Sequence, residues 1–399
     1  MKITVKCLSW LIAALLCAAL FPAAALAEPA AYDVWVNGTR LTAENAAAGV
    51  ACGMGRAVYD PSANVLTLTD AVMTKLHEEP AGDGVNCACV YAKGDLTLAL
   101  EGENSLAPVF SMGGGVTNCG VWCGGALTVT GAGSLAVSGG LSTFRSVGVY
   151  AQSAVFGGSV TVEATGGRFT GSVGTAGCGV YAEEDLTFTE NAVVNAVSFQ
   201  PDSNYFPSVS EGIRAGGVMT VERNAAVHSI ANRSSSEGGE AVALRGNLSV
   251  TGGALRALAV GENGSGIRIS SDHPTPFSVT SGFIFATGGK YALFSHYGKV
   301  NVHPEYRVTG STLYNANERT ARAEASTHYD GGLYYVVNEN GVPVAARTVF
   351  FVRPVIEYGL WVGGTRVTNY NSGDVLGDGK VAYDSETAGR ISKSAVPGK

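Results

Sequence analysis

Bulky side chains recur at one position of a short motif that is repeated along the chain. Eight copies of a small–aliphatic–x–small pattern begin at residues 89, 120, 148, 179, 212, 241, 266 and 292. Aromatic faces stack on the apolar faces of sugar rings, and guanidinium groups bind carboxylates with two hydrogen bonds. The third motif position therefore predicts a polysaccharide-binding surface, and down the copies it is occupied by Tyr91, Trp122, Tyr150, Tyr181, Arg214, Ala243, Arg268 and Phe294.

Two carboxylates stand near the end of this series. Glu211 and Glu240 occupy the same position of adjacent repeats, and Arg214 is close to them in the sequence. Paired carboxylates are ligands of calcium and are also the acid–base groups of enzymes that cleave polysaccharides. The same residues also fit solvated charges at turns. We predict no resident cofactor, and calcium at Glu211 and Glu240 is the one cation left open.

Acidic residues elsewhere in the repeats are spread thinly. A lyase needs clustered aspartates around calcium, and a hydrolase needs a carboxylate pair. We therefore favour a binding protein over an enzyme. A polysaccharide lyase-like enzyme acting on acidic glycans is one alternative, and a surface adhesin or structural protein without sugar binding is the other. Between residues 85 and 302 the aspartates are Asp95, Asp185, Asp202 and Asp272.

Short strands must position these residues. The repeats are 25 to 33 residues long, and each holds three alternating aliphatic segments separated by turns rich in Gly and Asn. One such repeat cannot bury its inner face alone, whereas stacked repeats bury a continuous core. The pattern predicts an all-β, right-handed parallel β-helix (a β-solenoid) of about eight three-strand coils. The aliphatic motif residue then points inward and the third position points outward. An antiparallel β-sandwich fits less well, because it would show hairpin signals at short spacing.

The outward aromatic residues have two interpretations. A ladder with rungs about 4.8 Å apart suits a polysaccharide, plant or host glycan alike. Stacking for stability, beneath a long insertion at residues 200–210, explains the same residues without a ligand.

Composition and the N-terminus predict an exported protein. The chain has 399 residues, 54 of them Gly, and a net charge of -7 with no basic run, which argues against nucleic acid. Lys2 and Lys6 precede an apolar stretch and the small residues Ala25 and Ala27, which is typical of a signal peptide over residues 1–27. No later apolar stretch has spanning length. We expect a secreted or cell-surface protein without a transmembrane segment after signal removal; its oligomeric state is left open.

The two ends of the repeat region differ from it and resemble each other. "YDVWVNGTRLT" begins at Tyr32, and "YGLWVGGTRVT" begins at Tyr358. We divide the chain into a signal peptide (1–27), an N-terminal β module or cap (28–84), the β-helix (85–305), a β-rich C-terminal cap (306–353) and a partial second copy of the N-terminal module (354–399).

Six cysteines follow the signal peptide, and all lie in the first half of the chain. Cys87, Cys119 and Cys178 are aligned here on one repeat position, and Cys123 on another. We interpret them as small inward-facing side chains. A Cys87–Cys119 disulfide is within reach if the two lie on adjacent coils.

The paired motifs resemble a known group of exported proteins. "YDVWVNGTRLT" with "YDPSANVLTLTDA", followed by "GVYA" coils, is similar to β-helix proteins of gut clostridia that are described as carbohydrate-binding. That group also looks related to calcium-dependent, pectate-lyase-like, non-catalytic β-helices. The resemblance covers roughly residues 32–302 and implies a β-helix that binds polysaccharide.

Overall fold

The computed structural model describes the chain from residue 29 to residue 393 with gaps. The described residues are 29–108, 115–167, 177–200, 210–233, 239–270, 277–289, 291–295, 300–302, 307–309, 320–321, 323–326, 333–336, 348–352, 357–368, 381–384 and 390–393. Regular structure in these ranges is entirely β, in a parallel β-solenoid, as predicted. No helix in them is long and apolar enough to cross a membrane. The predicted signal peptide lies outside the described residues.

Seven short strands precede the repeats. They are β1 (Ala31–Val36), β2 (Thr39–Thr42), β3 (Val50–Cys52), β4 (Gly55–Asp60), β5 (Val65–Thr69), β6 (Val72–Met73) and β7 (His77–Ala81).

The strands of the repeats follow, and several of them run through a corner of the coil. They are β8 (Gly84–Ala92), β9 (Leu96–Glu101), β10 (Glu103–Leu106), β11 (Val116–Gly131), β12 (Ser134–Ser138), β13 (Arg145–Phe156), β14 (Thr161–Gly166), β15 (Cys178–Ala182), β16 (Leu186–Phe188), β17 (Val193–Gln200), β18 (Ser210–Ala215), β19 (Met219–Val221), β20 (Ala226–Arg233), β21 (Gly239–Leu244), β22 (Leu248–Val260), β23 (Ser265–Ile269), β24 (Phe277–Thr287), β25 (Tyr291–Ser295) and β26 (Val300–Val302).

Shorter strands complete the described chain. They are β27 (Arg307–Thr309), β28 (Thr320–Ala321), β29 (Ala323–Ser326), β30 (Leu333–Val336), β31 (Thr348–Val352), β32 (Glu357–Val362), β33 (Thr365–Thr368), β34 (Val381–Asp384) and β35 (Arg390–Lys393).

The coils pair in parallel register along three columns of strands. The first column carries the repeated motif and runs through β8, β11, β13, β15, β18, β21, β23 and β25. The second column begins at β5 and β9, and the third at β6, β10 and β12. The path makes about six turns, slightly fewer than the eight coils predicted. At the C-terminal end β24 pairs with the antiparallel β31 rather than with a further third-column strand.

Both ends of the solenoid are covered by antiparallel strands. At the first coil, β1 and β7 pair antiparallel with β8. At the other end, β30 pairs with β25, and β31 pairs with β24. These contacts shield the edges of a parallel sheet, which otherwise invite pairing with other chains. The division of the chain into modules stays a prediction.

Glycine at the start of the repeated motif lets the first and third columns approach closely. A Cβ atom placed on Gly179 would lie 2.8 Å from the Ala164 carbonyl oxygen and 2.8 Å from the Val197 nitrogen, both in the third column. Gly179 therefore faces inward. Val180 also belongs to the main core, whereas Cys178 and Tyr181 belong to a separate cluster outside it. Two consecutive inward residues break the alternation, so the strand bends and the outward side chains on either side converge.

This bend corrects the prediction for several cysteines. Cys119 and Cys178 lie in the outer cluster and do not face inward, although Cys123 does belong to the main core. Cys119 pairs with Ala88, and Cys87 pairs with Asn118, so the predicted alignment of Cys87 was wrong by one residue. No disulfide links any of the six described cysteines, so the Cys87–Cys119 bridge is not formed. Burial raises the pKa of Cys89 to about 12, which keeps that thiol protonated and unreactive.

Aspartates at the turns connect one coil to the next. Asp95 Oδ1 accepts a 2.8 Å hydrogen bond from the Ala126 backbone nitrogen, and Asp185 Oδ1 accepts a 2.7 Å bond from that of Val218. These two carboxylates therefore cap turns between adjacent coils.

The close approach at Gly179 predicts the effect of a single methyl group. Because the added Cβ would meet backbone atoms that cannot rotate away, Gly179→Ala should lower the free energy of unfolding by about 1–3 kcal/mol. Gly94→Ala is the matched control, since a Cβ there meets no atom within 4 Å. Urea unfolding followed by circular dichroism measures both, and equal midpoints for the two variants would contradict the close approach.

Candidate functional site

The aromatic residues of the motif form one continuous stack on the outer side of the first column. We call Tyr91, Trp122, Tyr150 and Tyr181 the aromatic column. Parallel register places each residue beside the next. Successive ring centroids are 6.1, 3.8 and 5.3 Å apart, and the interplanar angles are 6°, 11° and 13°. The predicted ladder is therefore present as a set of near-parallel rings.

Most of this stack is hidden from solvent. Tyr91, Tyr150 and Tyr181 expose only 5%, 9% and 6% of their surface, and Trp122 is half-buried. They form the outer cluster with Cys119, Val147 and Cys178. The side chains do point away from the main core, but the bend at the motif glycine folds the outer face around them. The expectation of an open ladder is corrected accordingly, and the insertion predicted to cover it falls largely on residues 201–209, outside the described ones.

One carboxylate fixes two rungs of the stack. The hydroxyls of Tyr150 and Tyr181 donate hydrogen bonds of 2.9 and 3.1 Å to Glu183 Oε1 and Oε2. Burial raises the pKa of both tyrosines, and it raises that of Tyr91 to about 12. All three therefore remain neutral hydrogen-bond donors at physiological pH. The two hydrogen bonds to Glu183 hold the rings of Tyr150 and Tyr181 in place.

The stack continues past Tyr91 onto the first hairpin. Trp35 contacts Tyr91 edge-on at 5.7 Å and stacks on His77 at 4.2 Å. Glu79 accepts bonds from Lys93 at 2.6 Å and from His77 at 3.2 Å, and the Lys93 bond holds the pKa of Glu79 below its usual value. Trp35 closes the N-terminal end of the column, which the repeat alignment alone did not predict.

Beyond Tyr181 the column changes from rings to guanidinium groups. Register aligns Tyr181 with Arg214, then with Ala243, then with Arg268. The guanidinium carbon of Arg214 lies 5.4 Å from the Tyr181 ring centroid, and that of Arg145 lies 4.7 Å from it. Arg214 thus takes the place of the next ring. Phe294 continues the register, but its side chain is not among those described.

A pocket opens where Ala243 interrupts the column. Its volume is about 230 Å³. Ala243 lines this pocket between Arg214 and Arg268, and its methyl group leaves the space that a ring fills at the aromatic positions. The pocket is lined by Glu211, Arg214, Glu240, Ala243, Leu244, Arg245, Arg268 and Ser270. The structure therefore brings four of the predicted site residues, Glu211, Glu240, Arg214 and Arg268, into one pocket. None of the four aromatic residues lines it, although Tyr181 contacts Arg214.

The two carboxylates of the pocket are each paired with an arginine. Glu211 Oε1 accepts a 2.8 Å bond from Arg214 Nη1, and Glu240 pairs with Arg268, whose Nε also donates to Ser270 Oγ at 3.0 Å. Glu211 is 5% exposed, and burial raises its pKa to about 7 despite the adjacent Arg214. The Glu211 carboxyl therefore gains and loses its proton near neutral pH.

The balance of charges in the pocket is positive. Two glutamates face three arginines, and no described acidic residue forms an ion pair with Arg245. Arg245 is exposed and lines the pocket. An anionic group that enters the pocket could therefore bind the Arg245 guanidinium without breaking an ion pair between described residues.

The predicted calcium site does not gain further ligands here. No group of three His, Cys, Asp or Glu side chains is close enough to hold a metal ion within the described ranges. Calcium takes six to eight oxygen ligands, and both carboxylates are already neutralised by arginines. Calcium at Glu211 and Glu240 stays a prediction.

Comparison of the chain with protein-family models, with curated proteins and with solved structures finds no match. The resemblance to exported clostridial β-helix proteins thus stays a prediction from the motifs. The fold and the pocket define the chain as a parallel β-solenoid with a charged pocket on its outer face.

Three side chains that line the pocket, those of Ala243, Arg245 and Ser270, were not predicted as site residues from the sequence. Ala243 was present in the column, and its small size next to two arginines was the available signal for a gap. Arg245 and Ser270 lie outside the repeated motif and carried no signal.

Burial of the aromatic column predicts that its main effect is on stability. Tyr150→Ala removes a ring stacked on both faces and should lower the free energy of unfolding by about 3–5 kcal/mol. Tyr150→Phe removes only the hydroxyl bond to Glu183 and should cost about 1 kcal/mol. Thermal unfolding of the two variants distinguishes these values. An unchanged midpoint for Tyr150→Ala would show that the column does not support the fold.

Proposed function

We propose that this protein binds polysaccharide outside the cell, and that the pocket over Ala243 receives one sugar unit of the chain. The observation that carries the proposal is the interrupted column. Between Arg214 and Arg268 the solenoid repeats the geometry that elsewhere holds a ring, yet the ring is missing. A volume of about 230 Å³ is below the range of about 300–1,000 Å³ that drug-sized ligands occupy, and it suits a single monosaccharide.

The polar groups of the pocket suit sugar hydroxyls and an acidic substituent. Carboxylate oxygens of Glu211 and Glu240 accept hydrogen bonds from hydroxyls, and guanidinium groups donate to ring and hydroxyl oxygens. Arg245 has no described acidic partner and would bind a carboxylate or sulfate group of the ligand. We therefore propose an acidic glycan as the preferred ligand.

The aromatic column supports this site mechanically. Tyr181 stacks against Tyr150 and lies beside Arg214, so the guanidinium wall of the pocket rests on a fixed ring. A binding group held in one position loses less conformational entropy when the ligand arrives. In this proposal the rings orient Arg214, and only the pocket contacts the glycan.

Filling the gap should abolish binding and leave the fold intact. Ala243→Tyr places a ring where the column lacks one, so it should remove the signal of the protein on a glycan array without lowering the unfolding temperature. Ala136→Tyr is the matched control, because Ala136 is an exposed position of the third column. We expect Ala136→Tyr to bind like the unchanged protein.

Two array results would decide against the proposal. Equal binding by Ala243→Tyr and the unchanged protein would place the ligand elsewhere. Failure of the unchanged protein to bind any glycan, with retained binding to host proteins or cells, would favour the adhesin alternative.

Binding of an acidic ligand should depend on pH through Glu211. As the pH falls through about 7, the Glu211 carboxyl gains a proton and its ion pair with Arg214 weakens. Arg214 then becomes available to a ligand carboxylate, which stays ionised at this pH. Affinity should therefore rise from pH 8 to pH 6, by roughly tenfold, equivalent to about 1.4 kcal/mol.

Isothermal titration at the two pH values with the best array ligand measures this effect. Glu211→Gln is the control, because it is neutral at both pH values and should bind with an affinity that does not change between them. A pH dependence of the same size in Glu211→Gln would assign the titration to another group.

Cleavage of an acidic glycan is the second candidate function. Glu211 and Glu240 are neighbours in parallel register, and burial raises the pKa of Glu211 towards that of a general acid. Release of reducing ends or of unsaturated products from acidic polysaccharides would establish an enzyme. Their absence, together with binding on the array, would leave the protein as a binding module.

A further inference from the structure

The hairpin β32–β33 repeats the hairpin β1–β2 in structure as well as in sequence. Trp361 pairs with Arg366 and Val362 with Thr365, just as Trp35 pairs with Arg40 and Val36 with Thr39. Both first strands carry an irregularity before the tryptophan. Both turns have two consecutive residues with positive φ, at 50° and 77° in the first hairpin and at 57° and 84° in the second. The arginine also lies over the tryptophan ring in both, at 5.0 and 5.8 Å.

The first hairpin is docked on the opening coil of the solenoid. β1 pairs antiparallel with β8, with Trp35 opposite Tyr91 and Val36 opposite Val90. Two further backbone bonds, from the Asn37 nitrogen to the Cys89 oxygen and from Lys93 to Asp33, extend this contact at 2.8 and 3.0 Å. Trp35 is 8% exposed, and Val36 is fully buried.

The second hairpin lacks these contacts in the described part of the chain. β32 and β33 form a sheet of two strands, and no described strand pairs with the outer edge of β32. Trp361 is 62% exposed, whereas its counterpart Trp35 is almost fully covered. The edge that β1 uses to bind β8 is therefore unoccupied on β32 among these residues, and the ring that should lie beside an outward tyrosine faces solvent.

We infer that β32–β33 is a docking hairpin whose partner is the opening coil of a β-solenoid. The partner strand would pair antiparallel with β32, and it would carry an outward aromatic residue between two small or aliphatic inward residues, as Val90-Tyr91-Ala92 does. Exposed strand edges take up added strands through backbone hydrogen bonds, and the side chains select the partner. Equal register and equal turn geometry in the two hairpins favour this partner over an unrelated peptide.

An exchange within the full chain tests whether the second hairpin recognises an opening coil. Residues 31–42 are replaced by the sequence of residues 357–368. We expect the exchanged tryptophan to be protected from acrylamide quenching and the unfolding temperature to shift by less than about 5 °C. The control carries the same exchange, but with alanine in place of the transplanted tryptophan at position 35, and it should unfold at a clearly lower temperature. An exchange variant as unstable as a chain lacking residues 31–42 would overturn the inference.

Binding between separate chains provides the second test. A chain lacking residues 29–42 exposes the β8 edge, and it should bind the immobilised unchanged protein, with at least tenfold weaker binding to Trp361→Ala. The intact chain, whose β8 edge is already covered, should not bind. Equal binding of the intact chain would mean self-association of the hairpins or of another surface, and would overturn the inference. If the shortened chain does not fold, the exchange variant decides alone.

Discussion

Parallel stacking in register makes every residue the neighbour of its own counterpart, about 4.8 Å away on the adjacent coil. Rings tolerate this well, because near-parallel stacking is favourable, and the column from Tyr91 to Tyr181 is the result. Carboxylates do not, because like charges one strand apart repel each other. Glu211 and Glu240 are such neighbours, and each charge is compensated by an arginine: Arg214 of the same strand for Glu211, and Arg268 of the next coil for Glu240. The same constraint therefore produces both the stack and the ion-paired pocket.

The register of the solenoid was predictable from the sequence, whereas the exposure of its outer face was not. The small–aliphatic–x–small motif aligned Tyr91, Trp122, Tyr150 and Tyr181 correctly, because a parallel coil keeps one residue type at one position. Simple alternation then placed these rings in solvent. Gly179 and Val180 both face inward, however, and that bend brings Cys178 and Tyr181 together on the outside. Which residues a bend covers depends on contacts between coils, and these are absent from a single repeat.

The residues of the candidate pocket were likewise predictable from the sequence, whereas their ion pairs were not. Glu211, Glu240, Arg214 and Arg268 follow from the alignment, because they share motif columns. Their pairing does not, since Arg214 binds the glutamate of its own strand and Arg268 reaches back to that of the preceding coil. The raised pKa of Glu211 likewise depends on burial, which the alignment could not supply. Arg245 stands just after the motif, where the strand ends, and only the folded coil brings it to the pocket.

The last ring of a stack must be covered on its outer face, and the aromatic column is covered by different residues at its two ends. At the first coil, Trp35 contributes an edge-on ring, and the hairpin that carries it also covers the open edge of β8. At the other side the rings give way to Arg214, whose guanidinium remains flat enough to pack on Tyr181 yet brings charge and a hydrogen-bonding rim. The next residue in register after Arg214 is Ala243, whose small side chain leaves the space of the pocket. Such a pocket requires only that an arginine and then an alanine occupy the aromatic position on two successive coils, as Arg214 and Ala243 do, while the backbone of the coils is unchanged. We therefore propose that recognition is confined to the pocket over Ala243, whereas the buried rings of the aromatic column stabilise the coils.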